Sequence, residues 1–123
     1  MATRTTTRNT GAKGAVVGFT PLDDYRCYKD DGQQSVIFTQ HFRFGAEGPK
    51  LRVHIKRNAY DAQTFARLDV LGADLRWSTL AFLPTHMMRA LCATYVREPS
   101  VSDVAAFIAD RNALLEQGRM LLA

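Results

Sequence analysis

The chain has 123 residues, 46% of them hydrophobic and 23% charged, with a formal net charge of +4. That composition excludes a disordered chain and fits one domain with a modest core, and its basic balance favours an anionic partner, nucleic acid foremost. Two cysteines without a CxxC, Cys27 and Cys92, exclude a disulfide framework and a zinc signature and read as buried thiols of a reducing compartment. No apolar run approaches the roughly 20 residues that span a bilayer, and "MATRTTTRNTGAKG" reads as no secretory signal, because it lacks an apolar core.

In chain order, residues 3–9, a turn at about 10–14 and "AVVGFTPL" (15–22) predict an N-terminal hairpin. "YRCYK" (25–29) alternates, and "DDGQQ" signals a turn. "SVIFTQHFRFG" (35–45) is a long strand with Val36, Phe38, Gln40, Phe42 and Phe44 on one parity. "AEGP" (46–49) turns the chain into a strand over 50–60, where Leu51, Val53 and Ile55 alternate with Arg52, His54 and Lys56. Successive strand residues point to opposite faces, so this strand has an apolar face and a cationic one. Within 64–83, a break at Gly72–Asp74 separates two further strands, because twenty residues exceed an ordinary strand.

The last third has helical spacing. Pro84 and Thr85 end the strand, and a helix begins at His86 with Met87, Met88, Leu91, Cys92 and Tyr95 on its apolar side. Pro99 breaks it. Ser100 and Asp103 resemble a capping box, and Val101, Val104, Ala105, Ile108, Leu114 and Leu115 mark a second helix that Gly118 could stop. The expected fold class is therefore α+β: one domain over 1–123, with a β-hairpin and antiparallel meander over 3–83 and two helices over 85–122. Both helices should cover one sheet face and leave the other open.

The open face collects Thr39, His41 and Arg43 from one strand, Arg52, His54 and Lys56 from the next, with Asn58 beside them, and Arg76 and Ser78 from the last, with Trp77, Thr79, Ala81 and Leu83 assigned to the core. Arg67 could join, although Asp69 dilutes its strand. Arg and Lys neutralise phosphates; Thr and Ser donate to phosphate, sugar or a base edge. Such a face suits RNA whose bases are displayed. Catalysis has little support: His41, His54 and His86 fall in no metal-ligand pattern, Asp23–Asp24 and Asp30–Asp31 flank turns, and no phosphate loop or GxSxG occurs. No enzyme activity, cofactor, metal, membrane or small-molecule substrate is expected.

The order of parts, and above all "LRWSTLAFLPTHMMRALCATYVREPSVSDVAAFIADRNALL", resembles the coat protein of the single-stranded RNA bacteriophages, the levivirus type. That resemblance implies an interlocked homodimer in which two chains pair edge to edge and each chain's helices pack over the mate's sheet. Met88, Leu91, Cys92 and Tyr95 would then lie at the dimer interface. It further implies an icosahedral shell, assembled in the host bacterial cytoplasm, with the open face inward against genomic RNA. In some members of that family the same face binds a translational-operator hairpin. The N-terminal hairpin, 3 to about 20, would lie outside, and a loop within 59–75 would sit at the symmetry axes. Two other classes share the features read from the residues: a small sheet-and-helix single-stranded nucleic-acid-binding regulator similar to the Whirly group, and a phage-encoded inhibitor that binds a nucleotide signal or a host protein.

Overall fold

The structure, a computed structural model, describes residues 16–58, 63–90 and 98–123. Among these residues the fold is α+β: a six-stranded antiparallel sheet with one long C-terminal helix. The strands are β1 (Phe19–Pro21), β2 (Arg26–Asp30), β3 (Ser35–Phe44), β4 (Lys50–Asn58), β5 (Phe65–Leu71) and β6 (Trp77–Phe82), and the helix is α1 (Val101–Leu122). β3 to β6 form a meander in chain order. β1 and β2 share the free edge of β3, β1 against Phe42–Phe44 and β2 against Ser35–Thr39. The expected strand at 3–9 and turn at 10–14 lie outside the described residues.

Alternation builds β3 and β4. Val36, Phe38, Phe42, Leu51, Val53 and Ile55 are fully buried on one face, as a period of two requires. The tip between these strands is tight. Phe44 N–H donates to the Pro49 carbonyl, Gly45 adopts φ +68°, and a Cβ on Gly48 would fall 2.0 Å from the Phe44 carbonyl oxygen. Only a glycine fits there. The break inside 64–83 is a real turn, in which Gly72 N–H donates to the Arg76 carbonyl and Leu75 N–H to that of Gly72.

The polar residue in the apolar parity of β3 has a partner for each end of its amide. Gln40 is fully buried; its Nε2 donates to the Asp23 carbonyl, and its Oε1 accepts from Arg111 Nη1 on α1, at 3.0 Å each. A buried amide left unpaired would cost about 1–3 kcal/mol, so this contact fixes the helix on the sheet as well as satisfying the glutamine.

α1 starts at the expected capping box: Asp103 N–H donates to Ser100 Oγ, and Ser100 N–H to Asp103 Oδ2. Gly118 is not a stop, because the helix runs on to Leu122. It is instead a point of close approach to the sheet, where a Cβ would fall 2.5 Å from Leu68 Cδ2. The expected stripe holds in part: Leu114 and Leu115 are fully buried and Val104 and Ile108 pack against the core. Phe107, Arg111, Leu114, Leu115 and Gly118 face inward, whereas Val101 is 88% exposed and Ala105 is exposed. Phe107 stacks on Phe38, with centroids 5.8 Å apart. Burying each large apolar side chain of this stripe contributes about 1.5–3 kcal/mol.

Two expectations for the last third are revised. The helix expected from His86 does not start there: Thr85–Met87 form a 3-10 turn and Met88 is extended (φ −73°, ψ 137°); residues 91–97, where the rest of it is expected, lie outside the described residues. The backbone N–H groups of Arg89 and Ala90 then bond the Asp110 carboxylate at 2.7 and 2.9 Å, not carbonyls of a preceding helical turn. Leu91, Cys92 and Tyr95, expected at a dimer interface, lie outside the described residues. Met88 is buried within its own chain, 5% exposed, so it is covered before any partner arrives. α1 packs on the sheet of its own chain, against Phe38, Gln40 and Leu68; the resemblance implied packing on a mate.

Candidate nucleic-acid interface

The face opposite α1 is assembled by strand register. Arg26 on β2 pairs with Thr39 on β3, Thr39 with His54 on β4, His54 with Arg67 on β5, and Arg67 with Phe82 on β6. One row along, His41, Arg52, Asp69 and Thr79 stand in line; on the other side, Tyr28, Ile37, Lys56 and Phe65 do. Arg43, beside Thr20 and Lys50, closes the end near the β3–β4 turn. Six of the expected residues, Thr39, His41, Arg43, Arg52, His54 and Lys56, thus share this face.

Arg76 and Ser78 do not. Arg76 precedes β6 and is exposed in the turn, its N–H bonded to Asp74 Oδ1 at 3.0 Å. Ser78 pairs with Val70, on the face that α1 covers. The cause is a β-bulge. Asp69 pairs with Thr79 and Leu68 with Ala81, so Leu80 is an extra residue in β6. One extra residue inverts the parity of everything before it. Ala81 and Leu83 are buried as expected, but Trp77 and Thr79 turn to the open face. The chain shows no local sign of the bulge; only the partner strand reveals it.

Trp77 changes the character of the site. The Arg52 guanidinium lies 4.4 Å from its ring centroid, and the His41 ring 6.1 Å away. Arg67 lies 4.5 Å from the Phe65 centroid, and Arg26 4.9 Å from that of Tyr28. Arginines stacked on aromatic faces are worth about 0.5–2 kcal/mol each, and they present flat surfaces as well as charge.

The face also carries carboxylates. Asp69, its side chain 3% exposed, accepts at Oδ2 from Arg52 Nη2 (2.8 Å) and Nε (3.3 Å) and from Arg67 Nε (3.1 Å), and at Oδ1 from Thr79 Oγ1 (3.2 Å). One carboxylate orients two guanidinium groups and leaves one net positive charge. At the margin, Asp23 from the β1–β2 loop binds the His41 backbone N–H at 2.8 Å and the imidazole Nδ1 at 2.7 Å. Lys56 Nζ donates to Gln33 Oε1 at 2.7 Å, and Arg43 Nη1 to the Gly48 carbonyl at 2.9 Å.

His54 sits among these cations, and its Nδ1 is buried with no partner among the described residues. Burial, reinforced by Arg67, Arg52 and Lys56 and opposed by Asp69, lowers its pKa to about 4. At neutral pH it contributes a ring to the face, not a charge.

Compared with family models, curated proteins and solved structures, the chain has no match.

Proposed function

We propose that the open sheet face binds RNA, and that the chain is a coat protein of the single-stranded RNA bacteriophage type, pairing into dimers that build a shell around genomic RNA. The observation that carries RNA binding is the pair Arg52 and Arg67, held by buried Asp69 against Trp77 and Phe65 on a face α1 leaves uncovered. Charge neutralises phosphate, and flat arginine–aromatic surfaces take up bases. Shell assembly rests on the order of the parts: a meander ending in a Trp-bearing strand, a Pro-containing break and a long terminal helix. On this reading the protein is assembled in the bacterial cytoplasm and resides in the virion, and the same face is where an operator hairpin would bind.

A second reading is favoured by α1. It lies on its own sheet, so a protomer covers this face with its own terminal helix. That suits a small nucleic-acid-binding regulator. One experiment separates the two: size-exclusion chromatography of bacterially expressed protein, with the 260/280 nm absorbance ratio and negative-stain microscopy of the peak. Uniform megadalton spheres rich in nucleic acid are the expected result. A peak of dimer or tetramer size that binds nucleic acid would replace the coat reading with the regulator.

A further inference from the structure

We infer that Asp69 is a positioning residue for two stations that stack unpaired bases, Arg52–Trp77 and Arg67–Phe65, and that the face therefore prefers single-stranded RNA to duplex. This rests on the RNA-binding reading above and adds to it which form of RNA is taken and which residue decides.

The geometry is specific. A guanidinium is planar, and its donors lie along its edge. Asp69 Oδ2 grips Arg52 by Nε and Nη2 and Arg67 by Nε, while Thr79 holds Oδ1. Edges held in this way leave the flat faces for stacking, on Trp77 at 4.4 Å and on Phe65 at 4.5 Å. Among the described residues Arg67 spends only Nε on Asp69, so both terminal nitrogens remain for phosphate or a base edge.

The two rings stand on opposite sides of Asp69. Trp77 pairs with Leu71, and Phe65 lies at the other end of β5, but both rings meet arginines that share Asp69 Oδ2, so they are closer than the roughly 20 Å that six residues of strand would span. A strand of a few splayed nucleotides reaches both rings with a base at each end. His54, paired with Arg67 and with its ring 5.3 Å from that of Phe65, adds a further ring at that station. Duplex RNA has its base faces covered by their neighbours and offers chiefly phosphate and 2′-hydroxyl groups. It can meet the charge here but not the stations.

Charge and positioning make opposite predictions for Asp69→Asn. The substitution removes a negative charge from between two arginines, so Coulomb attraction alone would tighten binding to every polyanion. Loss of positioning instead weakens binding to unpaired bases and leaves duplex binding unchanged or tighter. The test is fluorescence anisotropy with the full chain, using a short oligouridine and an RNA duplex of equal length, at several salt concentrations.

Wild type should favour the oligouridine, and Asp69→Asn should reduce that preference about tenfold, within the range for losing one stacked base. Trp77→Leu, which retains Asp69, should lower oligouridine affinity about tenfold without weakening the duplex, and it decides the matter if Asp69→Asn does not fold. Tighter binding of both probes by Asp69→Asn, or an unchanged preference in Trp77→Leu, would overturn the inference while leaving RNA binding in place. Absence of binding to either probe by wild type would overturn both.

Discussion

His54 makes the stability of this protein depend on pH in a way that one substitution can isolate. Its imidazole is held at a pKa of about 4 by burial and by Arg67, Arg52 and Lys56, against 6.5 when the chain is unfolded. Because the folded value is the lower one, the unfolded state takes up the proton first. The neutral ring therefore favours the fold fully above pH 6.5, and that contribution is lost as pH falls from 6.5 to about 4. At about 1.4 kcal/mol per pH unit, the difference corresponds to roughly 3 kcal/mol; the ring is partly exposed, and solvent screening reduces the expected loss to about 2 kcal/mol. The assay is urea unfolding of wild type and His54→Leu at intervals between pH 7 and 4. Carboxylates common to both proteins cancel in the comparison, Asp110 included. Wild type should lose about 2 kcal/mol more than the variant across this window. Parallel profiles would refute the claim that His54 is buried uncharged among cations. Polyanion binding should work in the opposite direction, with phosphates drawing a proton onto the ring, so RNA association near pH 5 should take up protons in wild type and not in the variant.

Phe38→Ala removes a fully buried ring stacked between Tyr25 at 5.3 Å and Phe107 at 5.8 Å; a loss of about 3–5 kcal/mol in urea unfolding is expected, and less than about 1 would contradict the helix-on-sheet core. Asp110→Ala deletes the acceptor of two backbone N–H groups, one of them on fully buried Ala90. It should cost about 3 kcal/mol, measured the same way; burial, which raises the Asp110 pKa, keeps the figure from being larger. Arg43 and Lys56 are half-buried rim cations whose head groups bond only Gly48 and Gln33 among the described residues. Replacing both with Ala should leave thermal unfolding within a degree or two and lower the slope of log affinity against log salt for single-stranded RNA by about 1.4. An unchanged slope would remove them from the interface.

Much of this architecture is legible in the residues themselves, because its causes are local. A period of two in 35–45 and 50–58 dictates two strands with one apolar face, and Gly45, Gly48 and Gly72 mark places where the chain must turn tightly. The Ser100–Asp103 box starts α1 where its pattern indicates. Six residues of the basic face follow from parity alone, since β3 and β4 pair without interruption.

What parity missed depends on partners far away in the chain. The bulge at Leu80 exists because β6 must match β5, and it turns Trp77 and Thr79 toward the open face and Ser78 away. Asp69 reads as a diluting charge in its own strand; only when Arg52 and Thr79 stand on the neighbouring strands does it become the anchor of the site. The helix stripe was incomplete because Arg111 and Asp110 look like surface residues until Gln40 and the N–H groups of Arg89 and Ala90 receive them. Local steric and periodic rules are written into the order of residues. Whether a polar group is buried, paired or presented is decided by what faces it, and tertiary contact supplies that.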